Sequence, residues 1–167
     1  MRFTIFGFFV LLLSFILQTT LVPHLKIFGA QPDLILVVVA VYAFIHGSAG
    51  GSIGGFFGGL LQDMVLIRNM GFNALCKTIV GYLAGLVERT VFAESILLPM
   101  VAIFIASLIH ETIYLSFSIF LGEAISLDLS LWRIVIPSAI YNAILALLIY
   151  PLLCRISIYE EGVPRFK

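Results

Sequence analysis

The sequence predicts an all-α polytopic membrane protein with about six transmembrane helices in one membrane-embedded helical domain, residues 1–167. Of the 167 residues, 62% are hydrophobic and 11% are charged, whereas a soluble domain carries about 25% charged residues. The apolar residues form several runs of the length that crosses a bilayer, about 20 residues per helix. The chain therefore has too few charged side chains to cover a surface that faces water.

Charge and cysteine content exclude several other classes of protein. Nine basic residues balance nine acidic ones, and without a basic patch we expect no nucleic acid partner. Cys76 and Cys154 lie in apolar segments that the predicted topology places near opposite membrane faces, which argues against a disulfide between them. Their spacing is not that of a metal site, so we expect no metal and no cofactor.

The first helix is followed by no small-residue cleavage site, so we interpret it as a retained span and not as a signal peptide. Pro32 and Asp33 open the second helix, because proline suits the first turn and an acidic residue there complements the helix dipole. Residues 32–64 are too long for one span, at about 50 Å, and too short for two spans of about 20 residues each. We therefore predict two short helices that turn near His46-Gly47. Pro151 is expected to kink or end the last helix. The predicted helices cover roughly residues 3–22, 34–46, 47–63, 69–87, 95–121 and 131–153.

Lysine and arginine in the short loops predict the orientation. With six helices both ends of the chain share one side, which then holds five basic residues against three on the other. This excess predicts that both termini are cytoplasmic, whereas a five-helix alternative would export the basic tail, 155–167. Trp132 fits an anchor at the outer interface. The first side holds Arg2, Arg89, Arg155, Arg165 and Lys167, and the second holds Lys26, Arg68 and Arg133.

Seven of the fourteen glycines lie in the third predicted helix, 47–63. At about 100° per residue they form two neighbouring stripes that cover roughly half of the helix. Close packing of small residues drives helix association in a bilayer, so we expect this face to pack between helices or to receive a partner. Gly81 and Gly85 repeat the pattern in the fourth helix. The two stripes are Gly47, Gly51, Gly55 and Gly59, and Gly50, Gly54 and Gly58.

The stretch Gly50–Gly54 also matches the Gly-x-Ser-x-Gly motif of serine hydrolases, with Ser52 as its serine. That motif needs a strand–turn–helix context, which a transmembrane helix does not offer. The depth of His110 in the fifth helix also differs from that of Ser52 by about 15 Å. We therefore predict no enzymatic activity.

Polar side chains within the spans are functional candidates, because charge is costly in the membrane. Lys77 in the fourth helix and Glu111 in the fifth have similar predicted depths, in the outer half of the bilayer, and His110 precedes Glu111. We expect Lys77 and Glu111 to form a structural ion pair, or the lysine to snorkel toward the membrane interface, with a transport or coupling role as the alternative. Asp63 is expected to cap the glycine-rich helix or to pair with Arg68.

Four short pieces of residues 31–85 carry a resemblance to a known family. Their order and spacing are fairly specific, whereas residues 95–167 match that family only in hydropathy. The pieces read QPDL at 31–34, GFFGGLLQD at 55–63, MGFNAL at 70–75 and GYLAG at 81–85, and they include Pro32, Asp33, Asp63, Gly71 and Asn73. On these pieces the chain resembles the rod shape-determining protein MreD family.

The resemblance implies a non-enzymatic scaffold of the bacterial inner membrane that helps control cell shape and peptidoglycan synthesis. The implied partners in this cell-elongation (rod) complex are the single-span protein MreC, MreB, the glycosyltransferase RodA and its penicillin-binding transpeptidase, besides the lipid bilayer. The family is also similar in fold to the six-helix substrate-binding subunits of energy-coupling-factor vitamin transporters. That similarity implies the alternative function, a substrate-binding membrane subunit of a vitamin transporter, which needs a polar pocket on the outer side.

Overall fold

The structure, a computed structural model, describes residues 5–26, 30–65, 70–87, 97–122 and 134–161. These ranges contain five α-helices and one short 3₁₀ helix. The helices are α1 (Ile5–Thr20), the 3₁₀ helix (Val22–Leu25), α2 (Leu34–Asp63), α3 (Phe72–Gly85), α4 (Leu97–Phe120) and α5 (Ile136–Glu161).

Helix α2 is broken at Gly47, whose φ of 79° and ψ of −176° are non-helical. A straight helix would hold residues 35 and 58 about 35 Å apart, yet a Cβ added at Gly58 would lie 2.8 Å from Ile35 Cγ2. The chain therefore reverses at Gly47, and α2 is a hairpin of two short helices, 34–46 and 48–63. The predicted turn is confirmed, and glycine suits it because other residues rarely adopt this combination of φ and ψ.

Helix α3 packs antiparallel to the second half of the α2 hairpin. Gly85 lies against Ser48 at one end of the pair, and Ala74 lies against Gly59 at the other. We call the end at Gly85 and Ser48 the Gly47 end of the bundle. We call the end at Ala74 and Gly59 the Asp33 end, because Asp33, which precedes the hairpin, also lies there.

The remaining helices meet at the Asp33 end. Gln18 Nε2 donates to the Pro32 carbonyl and its Oε1 accepts from the Leu34 N–H, at the start of α2. Phe117 in α4 contacts Phe72 with ring centroids 5.1 Å apart. Near the start of α5, Asn142 Oδ1 accepts a hydrogen bond of 2.7 Å from the Asp33 N–H. Helix α1 therefore begins, and α5 ends, toward the Gly47 end.

The bundle is apolar outside and holds its polar side chains inside. The buried polar residues include Asp33, Asp63, Lys77, His110 and Asn142. Large apolar side chains cover the exposed faces, and in α5 they recur at helical spacing: Ile140, Ile144, Leu147, Leu148 and Leu152. Soluble monomers rarely expose contiguous apolar patches of this extent, and polar side chains that face the bundle interior are typical of transmembrane helices. The chain is a membrane protein.

The described ranges contain three helices that are long and apolar enough to cross a membrane: Leu34–Asp63, Leu97–Phe120 and Ile136–Ile156. A shorter apolar helix covers Phe6–Thr20. The first of the three folds back on itself, so length alone does not give the number of crossings. Six crossings remain a prediction.

Helix α5 differs from the sequence prediction at its end. The helix continues through Pro151 to Glu161, so the expected end near residue 153 is wrong. Proline removes one backbone donor, which leaves the carbonyl of Leu147 without its usual partner. Transmembrane helices tolerate such a loss when the neighbouring structure satisfies the freed group.

Candidate functional site

Lys77 is the centre of a buried polar network at the Asp33 end. Its side chain is 0% exposed, and its Nζ lies 2.6 Å from Asp33 Oδ2. The same Nζ lies 3.3 Å from His110 Nε2 and 3.5 Å from Asn73 Oδ1. An ammonium group has three donors and no acceptor, so each of the three N–H bonds has an acceptor within reach.

The predicted ion pair between Lys77 and Glu111 is therefore wrong, because Lys77 pairs with Asp33. Consecutive residues point about 100° apart around a helix. In α4 it is His110 that faces Lys77, which leaves Glu111 on the next face. Asp33 was predicted to open the second helix and to complement its dipole, and its carboxylate both caps α2 and neutralises the lysine.

Asp33 joins three helices through its other bonds. Its Oδ1 accepts a hydrogen bond of 2.9 Å from the Leu36 N–H and so caps the start of α2. Its own N–H donates to Asn142 Oδ1, and Asn142 Nδ2 donates to Ser107 Oγ at 3.0 Å. Helices α2, α4 and α5 are thus held together by bonds that the apolar surroundings shield from water.

Asp63 caps the start of α3, not the end of its own helix. Its carboxylate accepts hydrogen bonds of 2.9–3.1 Å from Asn73 Nδ2 and from the backbone N–H groups of Gly71, Asn73 and Ala74. Gly71 has a φ of 98°, the left-handed region that favours glycine. The suggested partner Arg68 lies outside the described residues. Since Asn73 also contacts Lys77, the Asp63 cap and the Lys77 centre form one network.

One glycine stripe lies against the α3 backbone. A Cβ added at Gly51, Gly55 or Gly59 would come within 3.0 Å of α3 backbone atoms. The facing residues are Gly81, Lys77 and Ala74. This close approach needs glycine, because no side chain fits between the two backbones. Gly85 faces Ser48 in the same way.

The second stripe lies against the first half of the α2 hairpin. A Cβ at Gly58 would meet Ile35, and one at Gly50 would meet His46 Cβ at 2.8 Å. Gly54 is buried as well. Gly47 forms the turn and has no atom within 4 Å of an added Cβ, but its carbonyl carbon would lie 2.5 Å from a Cβ added at Gly85, so the Gly47 backbone also approaches α3 closely. The opposite face is exposed and bulky, with Ile53, Phe56, Phe57 and Leu60.

A polar cavity of about 290 Å³ opens beside the network at the Asp33 end. Its lining includes Asp33, Asn73, His110 and Glu111, which are residues that the sequence singled out. It also includes side chains that the sequence analysis did not name: Gln18, Gln62, Tyr114 and Ser138. Among the described residues, the structure holds no group of three His, Cys, Asp or Glu side chains that could bind a metal ion.

Two orphaned atoms belong to this cavity lining. His110 Nδ1 and Gln62 Oε1 are buried and have no hydrogen-bond partner within the described part of the chain. Glu111 Oε1 lies 3.8 Å from His110 Nδ1, too far for a hydrogen bond. Buried polar atoms are nearly always bonded, so these two mark the cavity as a place where a further polar group fits.

Three members of the network were not predicted from the sequence: Gln18, Ser107 and Asn142. Each is a polar residue in an apolar run, which is the signal that could have found them. The serine of the hydrolase-like stretch has an ordinary role, because Ser52 Oγ donates to the carbonyl of Ser48, one turn earlier in its own helix, at 2.8 Å.

Comparison with known families gives a match over most of the chain. The family model described as rod shape-determining protein MreD matches residues 1–156. No curated protein and no solved structure matches the chain. The family match covers all five described α-helices except the last turns of α5.

Proposed function

Because the chain belongs to the rod shape-determining protein MreD family, we propose that it is a non-enzymatic scaffold of the cell-elongation complex. In this role it binds the single-span protein MreC in the bacterial inner membrane and helps control peptidoglycan synthesis and cell shape. MreB, RodA and its penicillin-binding transpeptidase complete the assembly. The observation that carries the proposal is the family match over residues 1–156, which is a match to a family that determines cell shape.

The packing of the bundle supports a scaffold. Every described α-helix is tied to the Asp33 end by buried hydrogen bonds or by the ring contact of Phe117. The buried Lys77 ammonium has three acceptors within reach and the Asp63 carboxylate accepts four hydrogen bonds. Buried bonds of this kind rigidify a core, and a rigid body suits a protein that positions others. The Ser52 hydroxyl is bonded within its own helix, so the motif that suggested hydrolysis gives no support to catalysis.

The packing of the glycine stripes bears on where the partner binds. The stripes of α2 lie against α3 and against the first half of the hairpin, so we infer that MreC binds elsewhere. A groove of about 200 Å³ runs between α3 and α4, lined by apolar residues that include the small Ala84, Ala102 and Ala106. Small residues let a transmembrane helix approach closely, so we place the MreC span in this groove.

Co-purification tests the proposal. The tagged chain, extracted from membranes that contain MreC, should retain MreC, and Ala102→Phe should lose it because the ring fills the groove. The matched control is Ile144→Phe, on the exposed face of α5. It should retain MreC. Both variants should accumulate normally. A wild-type chain that retains no MreC would contradict the proposed function, and loss with both variants would contradict the groove alone.

The vitamin-transporter alternative is favoured by one observation, the polar cavity at the Asp33 end. A substrate-binding subunit should keep a vitamin through purification and should co-purify with a transporter energy-coupling module in place of MreC. Mass spectrometry of the purified chain separates the two functions, since a scaffold of the rod complex needs no vitamin.

A further inference from the structure

The carboxylates around the Asp33-end cavity differ in how they are compensated. Asp33 is neutralised by Lys77, and Asp63 accepts four hydrogen bonds. Glu111 lines the cavity with a side chain that is 20% exposed, and its ion-pair partner within the described ranges is His110, at 3.8 Å. Whether His110 neutralises Glu111 depends on the protonation of its ring.

The bonds of Lys77 assign that protonation. The Lys77 ammonium can only donate, so His110 Nε2, 3.3 Å from Nζ, must accept. A ring that accepts at Nε2 is neutral and carries its proton on Nδ1. His110 therefore presents an N–H to the cavity side and supplies no positive charge. The Glu111 carboxylate lies beside it without a cation among the described residues.

Three polar groups at the cavity thus lack a partner within the described part of the chain. Among the described residues, no cation pairs with the Glu111 carboxylate, no donor reaches the buried Gln62 Oε1, and no acceptor reaches the buried His110 Nδ1. His110 is 3% exposed. A carboxylate away from bulk water is costly unless a cation pairs with it. A ligand with a positive charge and several N–H donors can pair with the Glu111 carboxylate and donate to Gln62 Oε1 at the same time.

We propose that the Asp33-end cavity binds a small organic cation, a primary ammonium or guanidinium compound, through Glu111 and Gln62. Its volume of about 290 Å³ is close to the lower end of the range of small-molecule pockets, roughly 300–1,000 Å³, so the ligand is a small molecule. The described residues lack a cluster of three metal-type ligands, which favours an organic cation over a metal ion. The proposal is independent of the rod-complex role, because it needs no partner protein.

A matched set of five-carbon probes tests the charge preference. Cadaverine carries two ammonium groups, and its diol and dicarboxylate counterparts, pentanediol and glutarate, keep the chain length with neutral or negative ends. Equilibrium dialysis is performed with the purified full chain in nanodiscs of zwitterionic lipid, with empty nanodiscs as background. Cadaverine, or agmatine as the guanidinium probe, should bind saturably, and pentanediol and glutarate should not. Magnesium chloride, added at the same ionic strength as the cadaverine salt, should not displace bound cadaverine.

Variants test the residues. Glu111→Gln should weaken cadaverine binding at least about tenfold, because the charge partner is lost. Thr112→Ala should bind normally, since Thr112 is exposed and bonds its own helix. Absence of cadaverine and agmatine binding to the wild-type chain, equal binding of glutarate, displacement by magnesium, or unchanged binding by Glu111→Gln would each overturn the proposal. Retention of MreC by the Glu111→Gln variant separates this site from the scaffold function.

Discussion

The pairing of Lys77 with Asp33 makes a quantitative prediction about stability. Lys77→Met removes an ammonium whose side chain is 0% exposed and leaves the Asp33 side chain, 12% exposed, without its cation. Removing one partner of a buried ion pair destabilises by about 3–5 kcal/mol. Two further acceptors, His110 Nε2 and Asn73 Oδ1, lose a donor in the same variant. We therefore expect a loss in the upper part of that range.

Removing the second charge should recover most of this loss. Asp33→Asn keeps a side-chain oxygen that can still accept from the Leu36 N–H, so the cap of α2 survives in the double variant Asp33→Asn/Lys77→Met. In the double variant residue 33 is no longer a carboxylate without its cation, and we expect this variant to be more stable than Lys77→Met by about 2 kcal/mol or more. Glu111→Gln in the Lys77→Met background should recover less, because Glu111 is not the ion-pair partner.

The free energies of unfolding can be compared by titrating the purified variants with sodium dodecyl sulfate in mixed micelles and following helix content by circular dichroism. The wild type, the three single variants and the two double variants give two double-mutant cycles, one for Lys77 with Asp33 and one for Lys77 with Glu111. The reasoning is refuted if Asp33→Asn gives no recovery in the Lys77→Met background, or if Glu111→Gln recovers more than Asp33→Asn does.

Three further predictions concern the glycines and the topology. Gly55→Ala should destabilise by about 1–3 kcal/mol, despite the higher helix propensity of alanine, because its Cβ would meet the Lys77 backbone; Ile53→Leu, on the exposed face, is the silent control, and a thermal unfolding series in detergent that shows no loss for Gly55→Ala would contradict the packing. Gly47→Ala should destabilise by about 1–3 kcal/mol, because of its backbone conformation and not because of a clash, since no atom lies within 4 Å of its Cβ. The same unfolding series measures this loss, and Ala49→Gly is the control that changes helix propensity alone. A reporter fused after Lys167 should give a cytoplasmic signal, and an extracytoplasmic signal would reject the six-helix orientation.

The sequence was informative wherever length and side-chain size decided the structure. The count of residues 32–64 excluded both one span and two full spans, and the chain does reverse at Gly47. The glycine spacing predicted a face wide enough for two neighbours, and the two stripes do face two different helices. These arguments need only the helical period and the thickness of a bilayer.

Sequence reasoning failed where a partner depends on how helices are placed side by side. Depth along a helix suggested Glu111 as the partner of Lys77, but it is the rotation of α4 that brings His110 to the lysine. Asp33 was predicted to open a helix, and it was not considered as the ion-pair partner of Lys77. The contributions of Gln18 and Asn142 depend on bonds across 14 and 109 residues, which no local pattern encodes.

The short arms of the α2 hairpin have a consequence for the surrounding lipid. The second arm, 48–63, and α3 are each about 21–24 Å long, whereas α4 is about 36 Å long, and a bilayer core is about 30 Å thick. The exposed side chains Phe56 and Phe57 show that the short second arm reaches the outer surface of the bundle. In the predicted six-crossing topology, hydrophobic mismatch has opposite signs around the protein: lipids beside the hairpin and α3 must compress, and those beside α4 must stretch or the helix must tilt. Each ångström of mismatch costs a fraction of a kcal/mol, so neighbours with short membrane segments are drawn to the thinned flank by the bilayer itself, before any side chain touches.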